Sequence, residues 1–353
     1  MKVSEHITNW YRENKRDLPW RNTKDPYKIW LSEIILQQTQ VKQGLPYYLK
    51  FISAYPTVEQ LANASEEEVL KLWQGLGYYS RARNLHYTAK YITKELDGIF
   101  PDNYADIIKL KGIGDYTAAA ILSFAFNEPK PVLDGNVFRV LSRYFGIDTP
   151  INTTEGTKTF KTLASRIFNS DDPSEHNQAI MEFGALLCKP KSPDCMFCPL
   201  QQDCAAFQSG KVNDLPVKLK TLKRRKRFFN YLIIKNKNGE FIIQQRLKKD
   251  IWQKLFEFPL IESNHQRKSL QSKDLDNISI LGDEQNIPVK KLTEKPLKHV
   301  LSHQDIFADF WKIETELKQK DIDNEQYVLT RKDELTKYAM PVLISKFIED
   351  TFF

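Results

Sequence analysis

Two carboxylic acids lie in sequence contexts that predict opposite protonation states. Glu33 falls in a helix predicted over residues 27–40, and its neighbours at three and four residues are Ile29, Trp30, Leu36 and Gln37. Burial on such an apolar stripe disfavours a charged carboxylate and raises the pKa of the group. Asp134 is predicted to begin a helix, where backbone N–H groups hold a carboxylate in its charged form. A protonated and an ionised carboxyl group can act together as an acid and an anionic stabiliser.

Both groups also have ordinary structural interpretations. Glu33 could lie at the edge of the stripe and reach solvent or an arginine. Asp134 could serve only as a helix cap, a role that contributes about 0.5–2 kcal/mol to stability. For Asp134 the two roles are compatible, because capping hydrogen bonds also favour the ionised form.

A Gly-x-Gly turn lies 20 residues before Asp134 and is a candidate phosphate site. The stretch reads Leu110-Lys111-Gly112-Ile113-Gly114-Asp115-Tyr116-Thr117. Glycine tolerates positive φ and allows a phosphate to approach the backbone. The helix predicted from Asp115 to about Phe126 would direct its free N–H groups at that phosphate. Taken alone, the motif fits a plain turn between two helices equally well.

The four cysteines of the chain are clustered in the order Cys188-x6-Cys195-x2-Cys198-x5-Cys204. Clustering argues against dispersed disulfides and favours a metal centre in a reducing compartment. Four thiolates suit a zinc ion or an iron–sulfur cluster. Structural zinc more often uses two Cys-x2-Cys pairs, and only one is present, so the spacing favours the cluster.

Length and composition indicate two globular domains. The chain has 353 residues, 41% of them hydrophobic, and a net charge of +7, a mild bias toward polyanions such as nucleic acid. No signal-peptide pattern opens the sequence, and its apolar runs are too short to span a bilayer. We therefore expect an intracellular protein that does not enter a membrane.

The boundaries follow from changes in composition along the chain. Residues 1–210 are predicted to be mainly helical, and residues 211–227 form a basic linker rich in lysine and arginine. A hairpin with an Asn238-Gly239 turn and a strand near residues 307–311 predict an α+β domain over residues 228–353. The linker could lie on a polyanion or simply be a solvated connector.

The stretch WQGLGYYSRAR at residues 73–83 combines glycines, tyrosines and arginines. Glycines permit close approach, aromatic rings can wedge between bases, and arginines bind phosphates. An ordinary loop entering a basic helix is the alternative interpretation.

Together these motifs resemble the MutY-type adenine DNA glycosylases, from about Trp10 to the C-terminus. The matching stretches are residues 18–21, 30–41 (WLSEIILQQTQV), 73–85 (WQGLGYYSRARNL), 110–118 (LKGIGDYTA), 133–143 (LDGNVFRVLSR) and the cysteine run. The resemblance implies a mainly α helix-hairpin-helix glycosylase domain with an iron–sulfur cluster loop. It also implies an α+β Nudix-like C-terminal domain, in which residues 256–259 and the His299-x2-Ser302-His303 motif match.

The resemblance further implies that adenine paired with 8-oxoguanine, and with guanine, is flipped out of the duplex and excised. Glu33 then matches the general acid that protonates adenine at N7, and Asp134 matches the carboxylate that stabilises the sugar cation. Tyr116 and Asn136 match residues that support these two. Other matches bind the substrate: Leu18, Trp20, Arg21, Gln178, Gln38, Thr39, Leu76, Tyr78, Ser302 and His303. Gly112, Gly114, Arg81 and Arg83 match contacts to the DNA backbone.

One [4Fe–4S] cluster on Cys188, Cys195, Cys198 and Cys204 is implied, with double-stranded DNA as partner. We expect a monomer in the bacterial cytoplasm, associated with the nucleoid. One departure from the family is Leu301, which stands where the lesion-reading Phe-Ser-His motif has phenylalanine.

Three other functions fit the sequence less well. A bifunctional glycosylase/lyase like endonuclease III carries a nucleophilic lysine two residues after the second glycine of the hairpin, whereas Tyr116 cannot form a Schiff base. A cluster-bearing DNA-binding protein without catalysis has no need of Glu33 on an apolar face. Hydrolysis of a nucleoside diphosphate derivative by the C-terminal domain needs a glutamate-rich signature, which residues 263–267 (SNHQR) do not supply.

The cysteine spacing makes a prediction that metal analysis can check. Anaerobically purified protein should contain iron, about four atoms per chain, and little zinc, because four clustered thiolates are the ligand set of a cubane cluster. Stoichiometric zinc without iron would contradict the assignment.

Overall fold

The structure is a computed structural model that describes residues 2–219, 224–236, 238–276, 278–281, 287–314 and 327–353. The chain forms two compact units. The first unites Met1–Asn63 with Asn84–Lys220, and the second unites Ala64–Arg83 with Thr221–Phe353. Two separate stretches of the chain therefore form the second unit. No helix in the described ranges has the length and apolarity needed to cross a bilayer.

The first unit is helical, as the sequence predicts. Its helices are α1 (Val3–Asn14), α2 (Pro26–Leu36), α3 (Val41–Ala54), α4 (Val58–Asn63), α7 (Tyr104–Ile107), α8 (Asp115–Phe126), α9 (Gly135–Phe145), α10 (Thr154–Ile167), α11 (Pro173–Leu186) and α12 (Ala205–Gln208). Helix α5 (Glu66–Leu72) lies in the second unit, and α6 (Ser80–Glu95) runs from the second unit into the first.

The core of the first unit is built by α1, α8, α9, α10 and α11. Its fully buried side chains include Ile7, Ala120, Val137, Val140, Leu141, Phe160, Ala179 and Phe183. Helix α2 packs against α8, where Ala118, Ala119 and Ala120 are buried. Small side chains there allow close packing, which brings α2 against the first turns of α8.

The predicted helix-hairpin-helix turn connects α7 and α8, and the predicted bounds of α8 are confirmed. Gly112 has φ of +87°, in the left-handed region that favours glycine. A Cβ atom at this position would lie 2.9 Å from the Cβ atom of Asn84, so the packing also requires glycine. Gly114 is the extended N-cap residue of α8.

The second unit contains a mixed sheet. Its strands are β1 (Arg225–Lys235), β2 (Phe241–Gln245), β3 (Phe256–Glu257), β4 (Leu260–Ser263), β5 (Val289–Lys291), β6 (Leu297–Val300), β7 (Gln304–Glu314) and β8 (Tyr327–Thr330). The sheet order is β3-β2-β1-β7-β5, and β4, β6 and β8 pair with β1, β7 and β2. The long strands β1 and β7 are parallel, with Phe228 opposite Phe307. Helices α13 (Ser272–Leu275) and α14 (Val342–Phe352) complete the unit.

The predicted β1–β2 hairpin is confirmed, with Gly239 at φ of +78° in its turn. The predicted strand near residues 307–311 is part of β7. Lys220 and Lys223 of the predicted linker, and Lys237 beside the turn, lie outside the described residues.

The predicted linker extends too far. Strand β1 begins at Arg225, and Arg227 is 7% exposed rather than solvated. Its guanidinium donates hydrogen bonds to Asp250 at 2.7 Å and Glu262 at 2.6 Å. Sequence composition could not reveal this, because the two acids lie 23 and 35 residues away along the chain.

Candidate active site

A cavity of about 160 Å³ in the first unit contains many of the predicted site residues. Its walls come from the turn Pro19–Arg21, from α2, from the N-termini of α8 and α9, and from α11. The predicted residues that line it are Leu18, Trp20, Arg21, Glu33, Thr39, Tyr116, Asp134, Asn136 and Gln178.

Glu33 lies in α2, where every residue from Ile29 to Ile35 is buried, and is 5% exposed. The predicted burial of Glu33 is therefore confirmed, but the helix is buried on all sides and not along one stripe. Burial raises the pKa of Glu33 to about 7, although the phenol of Tyr116 donates a hydrogen bond of 2.8 Å that favours the charged form. The negative charge of Asp134 raises the pKa of Glu33 further. Near neutral pH, Glu33 can therefore hold a proton and release it.

Asp134 is the N-cap of α9, as predicted. Its Oδ1 accepts hydrogen bonds from the backbone N–H of Asn136 at 2.9 Å and of Val137 at 2.8 Å. Its Oδ2 accepts a third from Nδ2 of Asn136 at 2.7 Å. The expectation that capping alone keeps the pKa low is wrong, because burial outweighs the caps and raises the pKa of Asp134.

The hydrogen bonds nonetheless distinguish the two acids. All three contacts of Asp134 are N–H donors, which need an acceptor and favour the charged carboxylate. Glu33 accepts one hydrogen bond from the phenol O–H of Tyr116. The hydrogen-bond donors therefore favour the charged form more strongly at Asp134 than at Glu33.

Tyr116 donates a hydrogen bond to Glu33, and Asn136 donates one to Asp134. Burial raises the pKa of Tyr116 well above its ordinary value, so its phenol keeps the proton that it donates to Glu33. Asn136 Oδ1 accepts from Arg139 Nη2 at 2.9 Å. Arg139 also donates to the carbonyl of Cys188 at 2.7 Å, which ties the start of the cysteine loop to the Asp134 cap.

Glu182 is a site residue that the sequence analysis missed. It is 1% exposed and lines the same cavity. Burial alone would raise its pKa, but the guanidinium groups of Arg16 and Arg21 lower the pKa of Glu182 to about 2. Arg21 binds it through two hydrogen bonds of 2.9 and 2.8 Å. The available signal was spacing, because Glu182 lies four residues after Gln178 on one helix face.

Tyr11 supports the cavity from α1. Its hydroxyl donates to Gln178 Oε1 at 3.0 Å, and the Arg21 guanidinium lies over its ring at 5.5 Å. Two predicted substrate-binding side chains, Arg21 and Gln178, thus have fixed partners on the side that faces α1.

Other predicted residues gather in the second unit, around a cavity of about 490 Å³. Those that line it are Leu76, Tyr78, Arg83, Ser302 and His303. The Tyr78 hydroxyl is hydrogen-bonded to Ser302 Oγ. Leu301 donates its backbone N–H to the carbonyl of Gln304 at 2.8 Å, which closes a tight turn around Ser302 and His303.

Three predicted DNA contacts have placements that the sequence did not anticipate. Arg81 is buried, lies 5.1 Å over the Trp73 ring, and donates to the Gly77 carbonyl at 3.3 Å. Its side chain therefore braces the adjacent loop instead of facing a DNA backbone. Arg83 donates to the carbonyl of Gln253 at 2.9 Å. Gln38 follows α2, is exposed, and has a left-handed φ of +54°.

The four cysteines are half-buried and form no disulfide. Burial raises the pKa of Cys195, Cys198 and Cys204, and the charge of Cys188 raises each of them further. The buried Arg143 donates to Cys188 Sγ at 3.4 Å. Thiol donors beside a guanidinium fit a thiolate-ligated metal group. Within the described ranges, no three His, Cys, Asp or Glu side chains are arranged to hold a single metal ion.

Glu182 makes a prediction about stability. Glu182→Gln should destabilise the fold by about 3 kcal/mol, because it leaves two guanidinium groups without a buried counter-charge. The folded-state pKa is below the ordinary value of 4.5, so this stabilisation is present above pH 4.5 and is lost as the pH falls toward 2. Urea unfolding of the variant across this range measures both effects.

Glu175→Gln on the same helix is the matched control. Its partner Arg12 has a side chain that is 59% exposed, so losing this ion pair should change stability much less than losing the buried pairs of Glu182. Equal effects of the two substitutions would contradict the role of burial.

Comparison with known proteins shows the family to which the chain belongs. Residues 31–166 match the family described as HhH-GPD superfamily base excision DNA repair protein, and residues 230–350 match the NUDIX domain family. An adenine DNA glycosylase of Buchnera aphidicola subsp. Baizongia pistaciae is 40% identical over 312 residues, which cover 86% of this chain and 83% of that protein.

Solved structures resemble more than half of this chain. A thermostable thymine-DNA glycosylase is 30% identical with a TM-score of 0.54, over 58% of this chain and 95% of that one. An endonuclease III–DNA complex, 21% identical with a TM-score of 0.51 over 59% of this chain and 94% of that one, shares the fold. The predicted fold class is thereby confirmed, and the chain belongs to the adenine DNA glycosylase family of base excision repair enzymes, the MutY family.

Proposed function

We propose that this enzyme removes adenine paired with 8-oxoguanine or guanine in double-stranded DNA. The observation that carries the proposal is the pair of acids in one cavity. Glu33 has a pKa of about 7, and Asp134 accepts three N–H hydrogen bonds beside it. Base chemistry needs the nucleotide outside the stack, so the adenine is flipped into this cavity.

Bond cleavage then uses the two acids in different roles. Glu33 gives its proton to the adenine, at N7 by analogy with the family, and the electron pair of the glycosidic bond leaves with the base. The sugar becomes a cation stabilised by Asp134, which at about 4 Å is worth roughly 4 kcal/mol, or about a thousandfold in rate. Water adds to the sugar, and the Glu33 carboxylate accepts the proton that the water loses.

Arg21 and Gln178 are proposed to recognise the adenine, with Leu18 and Trp20 as apolar walls. Glu182 fixes the Arg21 guanidinium, and Tyr11 fixes the Gln178 amide. Because both polar groups are held by other side chains, little entropy is lost when the base enters.

The proposed reaction stops at the abasic site. A lyase step needs an amine that forms a Schiff base with the sugar, and Tyr116 offers a phenol at the hairpin position. The phenol is already bound to Glu33, so it serves the glycosylase step.

Duplex binding is assigned to surface features of both units. In the first unit, Gly112 and Gly114 expose backbone to a phosphate at the N-terminus of α8. In the second unit, Tyr78 is proposed to insert into the duplex, while Ser302 and His303 read the oxidised guanine. Leu301 fills part of the volume of the family phenylalanine and retains its turn hydrogen bond.

A [4Fe–4S] cluster is proposed on Cys188, Cys195, Cys198 and Cys204. It would hold the loop from Cys188 to Cys204 together as a structural element. Arg143 offers positive charge to Cys188, and Arg139 connects the carbonyl of Cys188 to Asn136. In the proposed reaction, Glu33 is the residue that donates and accepts protons, and the cluster takes no part in these transfers.

Single-turnover excision on duplexes with adenine opposite 8-oxoguanine, guanine or thymine tests the proposal. We expect excision opposite 8-oxoguanine and guanine, and a strand that breaks only after alkali. Ser302→Ala with His303→Ala should reduce the preference for 8-oxoguanine over guanine by roughly ten- to a hundredfold, because about 1–3 kcal/mol of hydrogen bonding is lost.

Glu33→Gln is the matched inactive control, since it removes the acid and keeps the shape. It should bind the duplex without releasing adenine. Excision by this variant within tenfold of wild type would refute the assignment of the acid, and an unchanged preference in the double variant would show that this loop does not read the lesion.

A further inference from the structure

The second unit contains a segment, Ala64–Arg83, that is more than 130 residues distant in sequence from the rest of that unit. The segment contains a loop of residues 75–78 that ends in Tyr78. We call this loop the wedge loop. Tyr78 is 43% exposed, as a side chain that enters a duplex must be.

The wedge loop has an unusual backbone. Gly75 and Gly77 have φ of +103° and +74°, and Tyr78 has φ of +49°. The left-handed region is unfavourable for a non-glycine residue, so surrounding contacts must hold Tyr78 there. Two such contacts come from inside the segment, where Trp73 Nε1 and Arg81 Nη2 donate to the Gly77 carbonyl at 3.1 and 3.3 Å.

Further contacts come from the C-terminal part of the same unit, and they meet at Gln74. Its Nε2 donates to Ser345 Oγ of α14 at 2.8 Å. Its Oε1 accepts from Lys71 Nζ at 3.0 Å and from the backbone N–H of Met340 at 3.5 Å. Lys71 Nζ also donates to the Tyr338 carbonyl at 3.1 Å. These bonds join the residue just before the wedge loop to the segment that enters α14.

We propose that Gln74 is a positioning residue for base flipping, and that the C-terminal part of the second unit holds the wedge loop in its strained conformation. This inference rests on the proposed insertion of Tyr78. It gives the C-terminal domain a second role besides reading the lesion through Ser302 and His303. Gln74 itself touches no reacting atom and acts through the backbone of residues 75–78.

The physical reason is the free energy needed to open the base pair. Taking a paired base out of a duplex breaks its pairing as well as its stacking, and an inserted side chain must hold its position against that cost. A loop with two glycines has many alternative conformations. Bonds from Gln74 to Ser345 and Met340 anchor one end of the loop, and the Tyr78–Ser302 contact anchors the other.

The test compares two duplexes under single-turnover conditions. One has adenine opposite 8-oxoguanine, and the other has adenine opposite an abasic-site analogue, where there is no partner base to separate. Ser345→Ala should slow excision about tenfold on the paired duplex, the effect of one lost hydrogen bond. Gln74→Ala should slow it at least as much, because it also removes the bonds from Lys71 and Met340. On the unpaired duplex both should be within about threefold of wild type. The double variant should equal Gln74→Ala, because that substitution already removes the bond to Ser345.

Glu349→Ala, an exposed position one turn further along α14, is the matched control and should leave both rates unchanged. Thermal unfolding of every variant checks the fold, and Ser345→Ala carries the test if Gln74→Ala unfolds. An unchanged rate on the paired duplex, or equal losses on both duplexes, would overturn the proposal.

Tyr78→Ala separates this inference from the proposed function. If it slows only the paired duplex while Gln74→Ala does not, the wedge stands and the role of Gln74 falls. If Tyr78→Ala affects both duplexes equally, Tyr78 is not a wedge, and both the insertion and the inference that rests on it are wrong.

Discussion

The desolvation of one carboxyl group, Glu33, is the constraint on which the proposed chemistry of this protein depends. In water this side chain would be ionised at neutral pH and could protonate nothing. Its burial in α2 raises its pKa to about 7. With this pKa, Glu33 can hold a proton near neutral pH. The hydrogen bond from Tyr116 lowers the pKa somewhat, because it stabilises the carboxylate that remains once the proton has left.

The helices around the cavity give the carboxyl groups different electrostatic surroundings. The N-termini of α8 and α9 bring Tyr116 and Asp134 to the same cavity as Glu33. Asp134 accepts hydrogen bonds from N–H groups, whereas Glu182 forms buried ion pairs with the guanidinium groups of Arg16 and Arg21. The charge of Arg21 still lowers the pKa of Glu33, but burial raises it more. Each carboxyl group therefore has its own electrostatic surroundings within one small space.

Local sequence patterns predicted some features of this site. The cap residue at Asp134 and the Gly-x-Gly turn each follow from short-range interactions, and the structure has both. The apolar neighbours of Glu33 correctly predicted its burial, although α2 is buried on all sides and not along one stripe. Contacts distant in sequence were not predictable. Arg227 pairs with acids 23 and 35 residues away, Glu182 binds arginines more than 160 residues away, and Gln74 binds Ser345 271 residues later. The raised pKa of Asp134 belongs to the same class, since burial depends on the whole fold.

The central claim, a neutral Glu33 beside an ionised Asp134, can be measured directly. Carbon-13 NMR of protein labelled at glutamate side-chain carboxyl groups should contain one resonance that titrates near pH 7 and is absent from Glu33→Gln. Aspartate labelling should contain a resonance lost in Asp134→Asn that reports an ionised group at that pH. If every glutamate titrates below about pH 5, as in unperturbed side chains, the account of Glu33 as the acid is wrong.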